Sequence, residues 1–408
     1  MSPDSIRPLW QGRTLAVVGI VLFAFSLRSA VASLSPVVDH LTADFPLPAV
    51  VLGLIGTAPP VCYAVFGLLT PLLERRFGLE ALAVIAMAVA ALGLGARGLV
   101  TDGTGLLLAT ACIFAAVGVG NVLLPPLVKR YFPDRIGLMT TVYSTTMATA
   151  TFLPPLVAVP VADSVGWRVS LSSWAVFAVL AVIPWIALLR RERALPPVDV
   201  ESPTPRAFGR MWRLPLAWAL TVGFTVSGTI AYTAFAWLPV VLVDVAGVTP
   251  AAAGGLLSLY SIIGIPCALL VPLLVVKYNA TRLVFTVGIA AGLVGLAGLI
   301  FAPTVAPLLW IVVYGLTGAL FPLILVLIGV RARTSEGAVA LSGFVQSLGY
   351  AVVAIFPIGV GILHDVTGSW TWPLAVIALV IACAIPIVVV ASKPRTVEDE
   401  WEQRHGAW

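Results

Sequence analysis

Long apolar runs recur about twelve times along this 408-residue chain. A helix needs about 20 mostly apolar residues to cross a bilayer. Because lipid offers the backbone no hydrogen-bonding partners, such runs cross it as helices, which satisfy their own N–H and C=O groups. The pattern predicts an all-α membrane protein with twelve transmembrane helices, near residues 14–41, 49–73, 79–100, 104–128, 135–162, 168–189, 214–243, 249–276, 282–302, 304–330, 336–363 and 370–392.

The composition excludes a water-soluble globule. Hydrophobic residues make up 60% of the chain and charged residues 10%, whereas soluble domains carry about 25% charged residues. The first apolar run is too long for the core of a signal peptide, and no small-residue cleavage pattern follows it. We therefore expect this run to stay in the membrane.

The four cysteines lie inside apolar runs and lack the spacing of metal ligands. We interpret them as small hydrophobic residues and expect neither a metal nor another cofactor. The net charge of +5 is less informative than the placement of Lys and Arg in so apolar a chain. We expect membrane lipid as a partner, no nucleic acid, and a monomer.

Basic residues are distributed unevenly between the two sides of the predicted membrane. With the N-terminus inside, all but three of the 23 Lys and Arg residues fall on the cytoplasmic side. Arg97 and Arg168 lie outside, and Arg28 lies within a span. The positive-inside rule then predicts a protein of the bacterial cytoplasmic (inner) membrane with both termini in the cytoplasm.

Residues 190–213 join two halves that resemble each other. This longest connection carries four prolines among its charges, as linkers do. At a shift of about 200 residues, Pro71 matches Pro272, Pro155 matches Pro357, and Asp163 and Gly166 match Asp365 and Gly368. Related six-helix halves are typical of transporters with a site between them. We predict a first bundle over 1–189, the linker, a second bundle over 214–392 and a cytoplasmic tail over 393–408.

Arg28 lies in the middle of the first apolar run, with about a dozen mostly apolar residues on each side. A central arginine costs about 2.5–3.5 kcal/mol to insert and cannot lose its proton, so it must face protein or a wet cavity. One interpretation is a structural charge that ties helices together. The other is a ligand site for an anionic or strongly polar solute, on a helix face shared with Val21, Phe25, Ala32, Ser35 and Asp39.

Other polar side chains inside the spans are candidates for the wall of a cavity. Gln346 forms a stripe with Ser342 and Tyr350 at i, i+4 and i+8, and an amide in hydrocarbon needs a partner. Asn121 precedes Pro125 by one turn, so that it could bond either the carbonyl freed by the proline or a ligand. The predicted substrate-binding residues are Arg28, Asn121, Tyr143, Ser227, Tyr232, Gln346 and Tyr350.

Charged groups near the ends of the spans are candidates for gating and coupling. Since no carboxylate lies in the central third of any run, proton carriers would have to be peripheral. The predicted gating residues are the inner cations Arg75, Arg76, Lys129, Arg130, Arg331 and Arg333. The candidate proton-coupling residues are Asp39, His40, Asp163, Glu336, His364 and Asp365.

Four stretches resemble the cyanate-permease and nitroimidazole-transporter (CynX/NimT) branch of the major facilitator superfamily. They are LRSA at 27–30 followed by Pro36, NVLLPPLVKRYFP at 121–133, YTAFAWLP at 232–239, and SGFVQSLGYAVVAIFPIGVGILHDVTGSW at 342–370. The resemblance implies the twelve-helix fold, alternating access, and cavity residues at Arg28, Asn121, Tyr143 and Gln346. The chain departs from the branch at Ser29, where proline is usual, and at Ser227, where glutamine is usual.

These observations favour a secondary active or facilitative transporter for a small anionic or polar organic solute. The alternative is a proton-driven multidrug or nitroimidazole-type exporter. Exporters of this superfamily share a Gly-Pro-x-x-Gly-Gly signature in the fifth helix, and the chain has Phe152-Leu153-Pro154-Pro155-Leu156 there. An enzyme is disfavoured, because no paired carboxylates, histidine cluster or soluble catalytic domain is evident.

The charge asymmetry makes a testable prediction about topology. Both termini and the linker should be cytoplasmic, because they carry 11 of the 23 Lys and Arg residues. A cysteine placed at position 200 should react with a membrane-impermeant reagent only from the cytoplasmic side. Labelling from outside the cell would refute the topology.

Overall fold

The computed structural model describes residues 13–34, 37–47, 49–193 and 206–408. Within these ranges the chain forms helices and connecting turns, without strands. The helices are α1 (Thr14–Ala32), α2 (Val38–Asp44), α3 (Ala49–Phe77), α4 (Leu79–Arg97), α5 (Gly103–Tyr131), α6 (Ile136–Val165), α7 (Trp167–Ser173), α8 (Ala175–Arg193), α9 (Arg206–Met211), α10 (Pro215–Ala246), α11 (Pro250–Tyr278), α12 (Thr281–Phe301), α13 (Pro307–Gly315), α14 (Leu320–Val330), α15 (Ser335–Val353), α16 (Ile355–Thr367), α17 (Thr371–Ala382), α18 (Ile385–Ala391) and α19 (Val397–His405).

Each of the twelve predicted runs corresponds to a helix or a pair of consecutive helices. Four spans are broken into pairs, namely α7 with α8, α13 with α14, α15 with α16, and α17 with α18. Among the described residues ten spans are long and apolar enough to cross a membrane, and α6, bent by 45°, makes an eleventh. The remaining run is α3, which has 29 residues and three internal prolines.

The prediction of one continuous first helix over residues 14–41 is wrong. Helix α1 ends at Ala32, and the separate short helix α2 begins at Val38. Pro36 explains the break, since proline lacks an N–H and disfavours helical geometry in the residue before it. Arg28 and Asp39 therefore lie on different helices and do not share the single helix face that the sequence predicted. Of its polar positions, Ser35 and the side chain of Asp39 lie outside the described residues.

The chain divides into two compact units. The first unit comprises residues 1–208 and 334–343, and the second comprises residues 209–333 and 344–408. The beginning of α15 thus groups with the first unit, whereas its remainder belongs to the second.

The two units repeat the same backbone features. After their second long helices, Gly78 and Asn279 adopt positive φ angles of 82° and 51°. Gly166 and Gly368 do the same, at 92° and 63°, where the fifth span of each half ends. A positive φ is uncommon outside glycine and asparagine. Its recurrence at matching positions supports the internal repeat seen in the sequence.

Each unit also contains a hydrogen bond between a tryptophan and an aspartate in matching positions. In the first unit the Trp167 indole Nε1 donates to the Asp44 carboxylate at 2.9 Å. In the second the Trp370 indole Nε1 donates to the Asp244 carboxylate at 2.8 Å. Both bonds join residues more than 120 positions apart, at the predicted outer end of a unit. They tie the end of the first long segment of each half to its sixth span.

The predicted tail is an ordered part of the second unit. Helix α19 begins with a capping box formed by Thr396 and Asp399. Its Glu400 is fully buried and accepts a hydrogen bond from the Leu216 N–H, in the first turn of α10, at 3.0 Å. The first N–H groups of a helix have no partner within it, and its N-terminus attracts negative charge. Glu400 therefore caps α10, and Arg395 pairs with it at 2.6 Å.

Removing the buried carboxylate should destabilise the second unit. Glu400→Ala leaves Arg395 without its ion-pair partner and leaves an N–H of α10 without its acceptor, at a cost of about 3–5 kcal/mol. Glu402→Ala is the matched control, since Glu402 lies in the same helix but is partly exposed where it pairs with Arg333, and should cost less than about 1 kcal/mol. Thermal unfolding of the purified protein in detergent measures both. Equal melting temperatures for the two variants would contradict this role of Glu400.

Candidate functional site

Arg28 lies on α1 at a level where this helix closely approaches α5. A Cβ atom added to Gly120 of α5 would lie 2.5 Å from the Leu27 side chain, so only glycine permits this spacing. Leu27 and Gly120 directly precede Arg28 and Asn121. The helix contact therefore brings these two predicted site residues to the same depth in the first unit. Arg28 is half-buried and Asn121 is buried.

Tyr143 is the third predicted residue of the first unit. It is fully buried on α6, which packs along α1. The first unit thus places a guanidinium on α1, and an amide and a phenol on α5 and α6, which both pack against α1. Such a set can donate several hydrogen bonds to a polar solute.

The proline pair in α5 also provides a hydrogen-bond acceptor for Ser342, which the sequence analysis placed in the wall of a cavity. Pro126 has no N–H, so the Val122 carbonyl one turn earlier lacks its usual partner. The Ser342 hydroxyl donates to this carbonyl at 2.8 Å, within the first unit. Ser342, the first member of the stripe on α15, therefore joins two helices.

The other members of that stripe lie in the second unit. Gln346 and Tyr350 are both buried, and the Tyr350 ring packs edge-on against Phe224 of α10, with the centroids 4.9 Å apart. Tyr232, which lies on α10 like Phe224, also contacts Tyr350, with the ring centroids 6.4 Å apart. Ser227 is buried on α10 between these two contacts. The second unit thus contains a polar and aromatic group formed by α10 and α15.

Two of the predicted gating cations form ion pairs within their own unit. Arg130 pairs at 3.1 Å with Glu80, a buried carboxylate in the first turn of α4, to which the Tyr131 hydroxyl also donates. Arg333 pairs with Asp399 and Glu402 of α19. These contacts connect neighbouring helices and loops at the predicted cytoplasmic ends.

The remaining gating candidates differ in exposure. Arg75 and Arg76 are exposed at the end of α3, and Lys129 is half-buried. Arg331 donates to the Ala391 carbonyl at 3.4 Å. Their gating role stays a prediction.

The proton-coupling candidates lie at the ends of the units. In the first unit His40 and Asp163 form a pair at 2.8 Å. Nearby in sequence, Asp44 accepts hydrogen bonds from Trp167 and Arg168, which hold the pKa of Asp44 below its ordinary value. This carboxylate therefore stays charged through the neutral range.

The second unit has a different arrangement at the matching end. The His364 ring stacks on Trp370, with the centroids 3.9 Å apart. A cavity of about 490 Å³ lies beside this stack and is also lined by Asp244, Ser369 and Thr371. Asp365 is exposed, and Glu336 lies in the first turn of α15.

Arg97 is the residue that sequence reasoning missed. Its position at the end of an apolar run suggested an external loop, but the side chain is fully buried at the end of α4. Its Nη1 donates to the Ala30 carbonyl at 2.9 Å, and its Nε donates to the Thr110 hydroxyl at 3.1 Å. None of the carboxylates in the described ranges pairs with it. The sequence carried no local signal for this burial, because the partners of Arg97 lie on other helices.

Among the described residues, no three His, Cys, Asp or Glu side chains lie close enough together to hold a metal ion. The four cysteines are free thiols. The predicted substrate-binding residues offer instead amide, hydroxyl and guanidinium groups. Groups of these kinds can bind a solute by hydrogen bonds and charge.

The sequence profile of the Major Facilitator Superfamily matches residues 17–354. The chain is 32% identical over 403 residues to the uncharacterized transporter YycB of Bacillus subtilis, covering 96% of each chain. It is 32% identical over 378 residues to the 2-nitroimidazole transporter of Escherichia coli, covering 90% of this chain and 93% of the relative. It is 26% identical over 379 residues to the cyanate transport protein CynX of Escherichia coli, covering 91% and 94%. These matches confirm the resemblance found in the sequence.

The fold is similar to that of the proton:xylose symporter XylE, a solved structure of the same superfamily. The TM-score is 0.70, and the alignment covers 95% of this chain and 97% of that chain. At 15% identity the similarity concerns the fold alone. It confirms the predicted twelve-helix fold.

Gln346 and Ser342 lie one turn apart on α15 and should respond differently to substitution. Gln346→Leu should weaken solute binding, by about three- to thirty-fold for one lost hydrogen bond to a polar ligand, while the protein stays folded. Ser342→Ala, the matched control, should lower the melting temperature slightly without changing affinity, because its hydroxyl is used by the Val122 carbonyl. Affinity and melting temperature are measured on purified protein. Unchanged affinity in Gln346→Leu would assign this residue to helix packing.

Proposed function

The chain belongs to the Major Facilitator Superfamily, and on this premise we propose that it transports a small solute whose oxygen atoms are bound by Arg28. It is a membrane solute transporter and not an enzyme. The solute we propose is an anion or weak acid with a compact charged or strongly polar group. Arg28 supplies the fixed positive charge, and Asn121, Tyr143, Gln346 and Tyr350 supply hydrogen bonds within their units.

The observation that carries this proposal is the position of Arg28. Its guanidinium is permanently charged and lies on α1 at the depth of Asn121, four residues before the end of that helix. A guanidinium presents five N–H donors in a planar fork, and two of them can bind the paired oxygen atoms of an anion. An anionic solute therefore fits this group in both charge and shape.

Arg97 strengthens the argument. It adds a second permanent positive charge to the interior of the first unit, where the described carboxylates offer it no ion pair. In a medium of low dielectric constant, charges of one sign raise the potential over several ångströms. The first unit therefore favours an anion over a cation.

The names of the relatives fit the same chemistry. Cyanate is a small anion, and the nitro group of a nitroimidazole presents two oxygen atoms in a plane, as a carboxylate does. The planar fork of arginine matches such a pair of oxygens. We propose a solute of this size and shape class for this chain.

Proton coupling, where it occurs, is proposed to be peripheral or to travel on the solute itself as a weak acid. The spans have no carboxylate in their central thirds, and Arg28 does not titrate in the working range. The His40–Asp163 pair is the best-placed candidate in the first unit. If this pair does carry protons, the second candidate function is a proton-driven exporter of nitroimidazole-type compounds. The support for this solute class is the 32% identical 2-nitroimidazole transporter.

The chain is an integral membrane protein of a bacterial membrane. We propose that this is the cytoplasmic membrane, that both termini face the cytoplasm, and that the protein works as a monomer. The distribution of basic residues along the sequence supports this orientation of the termini.

Two substitutions of Arg28 distinguish the contribution of its positive charge to solute binding from that of its planar shape. Arg28→Lys keeps the charge but loses the planar fork, so it should bind cyanate or 2-nitroimidazole weakly, whereas Arg28→Gln should bind almost none. A charge-assisted contact of about 1.5–3 kcal/mol corresponds to roughly ten- to a hundred-fold in affinity. Ligand affinity and melting temperature are measured on each purified variant.

The structural alternative makes a different prediction for the same variants. If Arg28 only ties helices together, both substitutions lower the melting temperature and affect every ligand equally. A stable Arg28→Gln protein that binds both probes with wild-type affinity would eliminate the anion site.

A further inference from the structure

We infer that Arg97 is a positioning residue for Arg28, because it neutralises the end of α1 beside the proposed solute site. This inference rests on the proposed function of Arg28. Arg97 belongs to α4 and is not proposed to touch the solute. It acts on the site through the last turn of α1.

The contact between Arg97 and α1 involves a carbonyl that the helix itself leaves unpaired. In a longer helix the Ala30 carbonyl would accept the N–H of Leu34, but α1 ends at Ala32. The last four carbonyls of a helix have no partner within it. The Arg97 Nη1 donates to the Ala30 carbonyl at 2.9 Å and so takes the place of the missing N–H.

The surroundings hold the guanidinium in this position. The Thr110 hydroxyl of α5 accepts from Nε at 3.1 Å, and the Phe114 ring lies 5.6 Å from the guanidinium carbon. Nη2 is buried and has no hydrogen-bond partner among the described residues. Arg97 is thus fixed by α1 and α5 while one of its donors stays unused. A polar tie alone would not require so many donors or a full charge.

The charge has an electrostatic effect that a neutral tie lacks. The C-terminal end of a helix carries a partial negative charge, equivalent to about half an elementary charge and felt within the last turn. Arg28 lies four residues before the end of α1, so this negative end adjoins the proposed solute site. It would repel an anion there. The Arg97 guanidinium places a full positive charge beside the Ala30 carbonyl and so cancels the repulsion between this helix end and an anion.

The energetic cost of burial supports a role of this kind. Buried charges without a carboxylate partner are expensive, and replacing buried ionic groups by apolar ones is often neutral or stabilising. A neutral side chain could bond the Ala30 carbonyl at lower cost. Arg97 is therefore better explained by the effect of its charge on the site than by the stability of α1 alone.

The test uses the full-length protein in detergent with cyanate as the anionic probe and 2-nitroimidazole, at a pH where it is neutral, as the uncharged probe. Arg97→Gln keeps a donor for the Ala30 carbonyl but removes the charge. It should weaken cyanate binding by about three- to thirty-fold, the range expected for a helix-end charge, and change the affinity for the neutral probe by less. Arg97→Lys keeps the charge and should bind cyanate within about threefold of wild type. Arg168→Gln removes a partly exposed arginine of the same unit and is the control, with unchanged affinity expected.

A double-mutant cycle with Arg28→Gln completes the test. If Arg97 acts through the site at Arg28, the two substitutions together should weaken cyanate binding no more than Arg28→Gln alone. Additive losses, equal losses for the charged and the neutral probe, or a folded Arg97→Gln protein with wild-type cyanate affinity would overturn the inference.

Three further outcomes distinguish a failure of the inference from a failure of the proposed function. If Arg97→Gln does not fold, the folded Arg97→Lys variant decides, and a loss of cyanate affinity as large as that of Arg28→Gln contradicts a role of the charge alone. If Arg28→Gln itself keeps wild-type affinity, the proposed function fails, and the inference fails with it. If Arg28→Gln weakens binding and Arg97→Gln does not, only the inference fails.

Discussion

Helix ends that are buried in protein leave backbone groups without partners, and in this chain charged side chains of the appropriate sign satisfy them. Glu400 binds an N–H in the first turn of α10, and Arg97 binds a carbonyl in the last turn of α1. Glu80, also buried, lies in the first turn of α4. Each charge lies where the helix dipole favours its sign. The same physical rule therefore determines where this apolar chain can place ionisable groups within its units.

The two units use one scaffold with different chemistry. The positive φ angles and the Trp–Asp hydrogen bonds recur at matching positions. The arginines of the two units differ, since Arg28 and Arg97 lie in the first unit and the positions about 200 residues later carry no arginine. The second unit has Ser227, Tyr232, Gln346 and Tyr350 on α10 and α15.

Much of the fold was predictable, because span length and hydrophobicity are local properties of the sequence. The end of α1 at Ala32 could also have been predicted, since Pro36 follows it closely in the sequence. The ordered tail could have been found from Thr396 and Asp399, which are spaced as in a capping box. The burial of Arg97 could not have been predicted. It depends on a carbonyl of α1 and a hydroxyl of α5 that are 67 and 13 residues away in sequence. Long-range contacts of this kind leave no periodic pattern.

The strengths of these contacts indicate which of them a moving helix could break. The buried pair of Glu400 and Arg395 would strand a charge if it opened, at a cost of several kcal/mol. The Ser342 hydroxyl, which occupies the carbonyl freed by Pro126, is neutral, and such a bond contributes only about 1 kcal/mol. Alternating access requires contacts that form and break with little change in free energy. The proline-freed carbonyl of α5 and its hydroxyl partner on α15 satisfy that requirement, whereas the charged helix ends suit the parts of each unit that stay together.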